Sequence, residues 1–279
     1  MAKTKLKRTI SRVGYAPMSY DSETEQYSYG TVVWFPHNEA GGREFSAEAN
    51  GESTEVYADG VSIYTSTENN GYDISLTLVR VTDDIDVAWL GNVIDDDGNV
   101  VEIANNAELP KFALFVIEDT TDGIGLTHVY YNCAVTTRPS NSGATSEGSG
   151  FDPQFAELSI SARPLPDSKV TYKKMNQQEL FTTVPDANVA AIITASFTGA
   201  ELSTPFRSDV ASYTLTPATG VTSGTIEVAA AIPTSTITIT AGSETIENGG
   251  TVALAAGTAI TVVVTSGTAT KTYTFTVAS

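Results

Sequence analysis

The sequence predicts a mostly β protein built as two domains, and three observations predict it. Gly, Thr, Ser and β-branched residues dominate, and no long stretch carries a 3.6-residue apolar period. Short runs of alternating apolar and polar residues recur along most of the 279 residues, with turn residues between them. Composition also changes near Val184-Pro185-Asp186: both Trp, most of the Tyr and nearly all the charge come before it, and a Thr/Ala/Val/Ser-rich stretch follows. Domains of 1–185 and 186–279 are expected.

Thr31 to Phe35 reads as a short apolar strand ended by Pro36. In Arg43 to Ala49, Phe45, Ala47 and Ala49 share one face, while Glu44, Ser46 and Glu48 share the other. Val61 to Thr67 and Tyr72 to Val81 flank Asn70-Gly71, which predicts a hairpin because both turn positions tolerate positive φ. One short flanking helix follows: Thr82 or Asp83 caps it, acidic residues crowd its first turn, Ile85 and Trp89 lie one turn apart, and Gly91 closes it. Lys111 to Glu118 predicts a strand buried on both faces, since Phe112, Leu114 and Val116 alternate with Ala113, Phe115 and Ile117. Val129 to Thr137 and Phe155 to Ala162 complete the set, separated by a long polar loop from Ser140 to Gly150.

The second region alternates at Tyr213 to Leu215, Thr225 to Val228, Thr236 to Ile239, Val252 to Leu254, Ile260 to Val264 and Tyr273 to Val277. Ala241-Gly242-Ser243, Asn248-Gly249-Gly250 and Ser266-Gly267 supply turns. Six or seven short strands in this length predict a β-sandwich.

Net charge is −18, and only −3 of it falls after Asp186. Such a charge keeps monomers soluble and disfavours non-specific binding to nucleic acid or anionic membrane. The exception is the start, where Lys3, Lys5, Lys7, Arg8 and Arg12 form a basic arm. It leads into Ile10, Ser11 and Arg12 instead of an apolar core, so no secretory signal is expected. No run of ~18 apolar residues exists, so no membrane span is expected.

Catalytic and metal chemistry find little support. Cys133 is the only cysteine and sits in an apolar, aromatic run, which suits a buried structural thiol. His37 and His128 lack partners at metal-ligand spacing, and a surface or interface role is expected for His128. Asp95-Asp96-Asp97-Gly98-Asn99 fails the EF-hand pattern, because Gly98 falls at position 4 and Asn106 at position 12. An acidic turn is expected there. No nucleophile elbow, phosphate loop or cofactor motif is visible, so the expectation is a building or binding protein, not an enzyme.

Residues 1 to about 185 resemble the major tail proteins of siphophages infecting Gram-positive hosts. The likeness is carried in order by Tyr29-Gly30, Tyr57-Ala58-Asp59-Gly60, Gly71-Tyr72-Asp73, Ala88-Trp89-Leu90-Gly91, Asp95 to Val100, Leu109 to Val116, Val129 to Val135 and Phe155 to Pro164. Residues from about 189 onward resemble the cadherin-like, Ig-like β-sandwich modules of bacterial and phage surface proteins. Leu202, Phe206, Asp209, Val210 and Ser212-Tyr213-Thr214-Leu215 carry that likeness, with Ile260 to Val264, Gly267-Thr268 and Lys271 to Phe275.

The first resemblance implies a tail-tube β-barrel or sandwich flanked by a helix. Its subunits would form hexameric rings around a β-lined channel, assembled in the host cytoplasm into the virion tail. The implied partners are further copies of the chain, a tape measure protein, a tail terminator and genomic DNA passing without sequence-specific binding. Inter-subunit contacts are expected from the arm (Lys3, Lys5, Lys7, Arg8, Arg12) and from the loop (Ser140, Asn141, Ser142, Gly143). Deleting residues 1–12 is expected to leave the fold intact but block assembly. Glu44, Glu48, Asp73 and Asp86 are the candidates for an acidic lumen, which would repel DNA phosphate. The second domain is expected to decorate the exterior and to contact the host wall. A cell-surface adhesin or carbohydrate-binding protein with two β-domains is the alternative.

Overall fold

A computed structural model describes the protein over residues 6–278, apart from 22, 24–25, 60, 104–108, 141–152 and 167. The chain divides into two compact units. The first runs to Asp186, less residues 167–169, and the second runs from Ala187.

The first unit begins with β1 (Lys7–Asp21), β2 (Gln26–Tyr29), β3 (Val33–Trp34), β4 (Gly42–Ala49), β5 (Ser53–Ala58), β6 (Val61–Thr67) and β7 (Tyr72–Leu78). It continues with β8 (Val93–Ile94), β9 (Val100–Val101), β10 (Lys111–Thr120), β11 (Leu126–Thr137), β12 (Ala156–Ala162) and β13 (Tyr172–Met175). Helices α1 (His37–Ala40) and α2 (Asp83–Leu90) interrupt the strands. Nine strands make one sheet, ordered β2-β1-β10-β11-β12-β7-β4, with β13 on β11 and β3 on β1. The sheet curls without closing into a barrel. Gly42 of β4 comes so near β1 that an added Cβ would lie 2.4 Å from Val13 Cγ2, yet β4 pairs only with β7 among the described residues.

Alternation sets what the curl encloses. Phe112, Leu114 and Val116 of β10 meet Ile74, Leu76 and Leu78 of β7 and Leu158 and Ile160 of β12 in one core. Helix α2 caps it with Ile85 and Trp89, both fully buried. Trp89 stacks on Phe112 at 4.3 Å and meets Tyr15 edge-on at 5.6 Å. Gly91 ends the helix in the left-handed conformation (φ 68°), its N–H bonding to the Asp86 carbonyl. The other face of β10 is buried too, as its double alternation predicts. Phe115 packs on Trp34 and Phe181, and Trp34 Nε1 donates to the Phe181 carbonyl at 2.9 Å.

Three local expectations are corrected. Thr31–Phe35 keeps only Val33–Trp34 as strand, and Pro36 then starts a second helix, the single turn α1. Asn70-Gly71 is not a hairpin turn. β7 pairs with β4 and β12, while β5 and β6 pair with each other. The chain reverses between the paired Ala58 and Val61, and Asp59 there takes φ 51°. Gly71 instead sits at φ 105° against β12, where a Cβ would lie 2.0 Å from the Ala162 carbonyl oxygen. Finally, Lys7, Arg8 and Arg12 are not a free arm: they belong to β1, paired along β10 from Lys7↔Thr120 onward.

The second unit comprises β14 (Ile192–Phe197), β15 (Ala200–Leu202), β16 (Ser212–Pro217), β17 (Ser223–Ala230), β18 (Thr236–Ala241), β19 (Glu244–Ile246), β20 (Thr251–Ala253), β21 (Ala259–Ser266) and β22 (Ala269–Val277). The order is β14-β17-β20 in one sheet and β15-β16-β22-β21-β18-β19 in the other. The expected sandwich results, with its core between Ile226, Val228 and Val252 on one side and Leu215, Val262, Tyr273 and Phe275 on the other. β16 joins β22 in parallel, a pairing that alternation alone does not reveal. Thr238, Thr272 and Thr276 take the exposed positions between inward residues.

Candidate functional site

The surface of the first unit that best fits a function is the outer face of β4, β7 and β12. Each of these strands puts its apolar residues into the core, so the alternate residues take the opposite face together, exposed or half-buried except for Thr77 at 7%. Register aligns them in rows: Glu48 lies beside Asp73 and Asp73 beside Ser161, while Glu44 lies beside Thr77 and Thr77 beside Glu157. Ser46, Ser75 and Ser159 form the row between. The result is a face of small hydroxyl side chains carrying Glu44, Glu48, Asp73 and Glu157. Asp73 accepts hydrogen bonds from Arg163 and Asn50, both at 2.9 Å.

Three of the expected lumen residues, Glu44, Glu48 and Asp73, are thus brought together. Asp86 is not. It stands on α2, where its carboxylate accepts from Asn92 Nδ2 at 3.1 Å, and burial pushes its pKa up. Arg138 completes that cluster, donating to Asn92 Oδ1 and the Leu90 carbonyl and pairing with Glu102 at 3.0 Å. This network ties the base of the long loop to the end of α2. Ser140 is exposed beside it, whereas Asn141, Ser142 and Gly143 lie outside the described residues, as do Lys3 and Lys5. Glu157, Ser159 and Ser161 were missed, although their alternation with Leu158, Ile160 and Ala162 is plain in the sequence.

His128 corrects the surface expectation, being only 4% exposed. Its Nε2 is 2.9 Å from Glu118 Oε2 and its Nδ1 is 2.6 Å from the Tyr172 hydroxyl. A neutral ring donating to Glu118 and accepting from Tyr172 satisfies both contacts. Lys7 reaches the same carboxylate at 2.8 Å. Burial lowers the histidine pKa below its ordinary 6.5, against the opposing pull of Glu118, and burial pushes Tyr172 up to about 12. The unfolded chain binds a proton that the folded one resists, so the contribution is full above pH 6.5 and is lost as pH falls. Replacing His128 by Asn should flatten the dependence, and urea unfolding at pH 7 and pH 5 measures it. An equal loss of stability in both chains would refute this role.

Cys133 is fully buried, and burial raises its thiol pKa strongly, as befits an inert side chain. The Asp95 carboxylate accepts from the backbone N–H of Asp97 and Asn99, making the acidic turn between β8 and β9. Those hydrogen bonds lower its pKa. Among the described residues no group of three or more His, Cys, Asp or Glu is placed to hold a metal ion, and no helix is long and apolar enough to cross a membrane.

A second surface was unforeseen. Bonds from Asn50 N–H to the Gly71 carbonyl, Asn70 N–H to the Asn50 carbonyl and Glu68 N–H to the Glu52 carbonyl join the β4–β7 ladder to the β5–β6 ladder. The two make one long hairpin whose outer half is a two-stranded ribbon. Val56, Tyr57, Val61, Ile63 and Tyr64 on this ribbon are 44–65% exposed. Comparison with protein-family models and with curated proteins finds no match to the chain.

Proposed function

We propose that the chain is a structural subunit of a long-tailed bacteriophage, closing into hexameric rings that stack as the tail tube through which DNA passes. The observation that carries this reading is the three-strand outer face, hydroxyl-rich and bearing Glu44, Glu48, Asp73 and Glu157, in a sheet whose last strand, β4, pairs only with β7 among the described residues. An open edge is a hazard in a monomer and an asset in a ring, where the next copy completes it. An acidic wall repels phosphate, so a duplex slides along it without sticking. The resemblance of residues 1 to about 185 to siphophage major tail proteins supports the same reading. The tape measure protein and tail terminator are the further partners it implies, and the second unit decorates the exterior.

Electron microscopy of the purified protein at high concentration, with mass by light scattering, tests the proposal. Rings or hollow tubes are expected, and a reconstruction should put Glu44, Glu48, Asp73 and Glu157 on the channel wall. A chain that stays monomeric at every concentration, or tubes with this face turned outward, would sink it.

A further inference from the structure

The start of β1 is joined to β10 less regularly than the rest of the strand. Its register breaks twice, between Lys7 and Ile10 and again between Ile10 and Arg12. Leu6 N–H donates to Thr121 Oγ1 at 3.0 Å, and Thr121 N–H returns a bond to the Leu6 carbonyl at 2.9 Å. Thr9 Oγ1 reaches Asp119 Oδ2 at 3.4 Å, and Lys7 Nζ reaches Glu118 Oε2 at 2.8 Å. That last oxygen is shared, because His128 Nε2 lies 2.9 Å from it. The groups facing the imidazole are Glu118 of β10, Lys7 of β1, Tyr172 and Lys174 of β13, Tyr130 of β11 and Tyr72 of β7. Strand β4 adds the uncharged Phe45, Ser46 and Ala47. Burial keeps the Tyr130 and Tyr172 hydroxyls protonated, so they bring no charge to the ring.

We propose that His128 and Lys7 compete for Glu118, so that protonating His128 releases Lys7 and loosens the start of β1. A neutral ring and an ammonium both donate to Oε2 without conflict. A charged ring sets a second cation against the same oxygen, where Lys7 and Lys174 both oppose it. It then donates from both nitrogens, and Tyr172 turns from donor to acceptor. Lys7, whose side chain is 60% exposed, is the partner that can leave for water, whereas His128 is enclosed. The latch is closed at neutral pH and opens as pH falls below 6.5, the ordinary value from which burial lowers the ring. Every group in it belongs to one copy, so it works whether or not the chain assembles. The coupling is reciprocal: a charged ring that weakens the hold on Lys7 must itself form more readily, by the same factor, once Lys7 is gone.

NMR titration of the two histidine rings tests this coupling directly. In Lys7→Met the pH midpoint of His128 should rise by about one, a tenfold gain in proton affinity, while exposed His37 stays put as the control. Nitrogen-15 relaxation reads the strand itself. In the wild type the order parameters of Leu6, Lys7 and Arg8 should fall from about 0.85 at pH 7 to below about 0.6 at pH 5. His128→Gln, whose neutral amide keeps donating to Glu118, should hold the higher values at both pH values. Lys7→Met should show the lower values at both. An unmoved His128 midpoint in Lys7→Met, or the same loss of order in His128→Gln, would overturn the latch. Should the Gln chain fail to fold, the ring titration of Lys7→Met decides alone.

Discussion

A chain lacking residues 1–12 should lose the cooperative fold of the first unit, whereas one lacking only residues 1–5 should keep it. The larger deletion removes the outer half of β1, whose residues from Lys7 pair with β10. It also removes Ile10 from the edge of the core, and it takes Lys7 from Glu118, which is 9% exposed. Buried strand partners left without their hydrogen bonds cost ~1–3 kcal/mol for each unsatisfied group. Arg12 is lost as well, with its bond from Nη1 to the Phe35 carbonyl at 3.1 Å. Heteronuclear NMR of both truncations checks this: collapsed amide dispersion is expected for the longer deletion only. A well-dispersed spectrum from the chain beginning at residue 13 would show that β1 is dispensable below Val13.

Replacing Trp89 by Ala should cost the first unit about 3–5 kcal/mol, the usual range for emptying a large core aromatic. Trp89 is fully buried, stacks on Phe112 and contacts Tyr15 and Phe35, so no single neighbour can fill the space. The second unit has its own core around Tyr273 and Phe275. Chemical denaturation, followed by circular dichroism and by the surviving aromatic signals, should show an early transition for the first unit and an unmoved one for the second. A loss below ~1 kcal/mol would mean that α2 is not the cap of the core.

Much of both units was legible because their strands are half-buried, and half-burial writes itself as alternation. Arg43–Ala49, Tyr72–Leu78 and Phe155–Ala162 each put one class of residue inward. The pattern of Lys111–Glu118 announced two buried faces, and Thr82 to Gly91 carried both ends of a helix. The acidic outer face was partly legible for the same reason, since Glu44, Glu48 and Asp73 take the outward positions of such strands.

What stayed hidden were pairings and their consequences. Asn70-Gly71 and Asp59-Gly60 are equally good turn sequences, and only the β4–β7 and β12–β7 ladders decide between them. His128 looks like any polar residue at the head of a strand until Glu118 and Tyr172 close on it. Asp86 has the charge for an acidic wall but the wrong element, because α2 packs on the core and not on the outer face. The amino-acid order thus determined the class, the two-part division and the inward side of the half-buried strands, because these depend on local composition and period. Tertiary structure alone decided which strands are neighbours, which edges stay open and which apolar residues end exposed on a ribbon, because each is settled by contacts between residues distant in the chain.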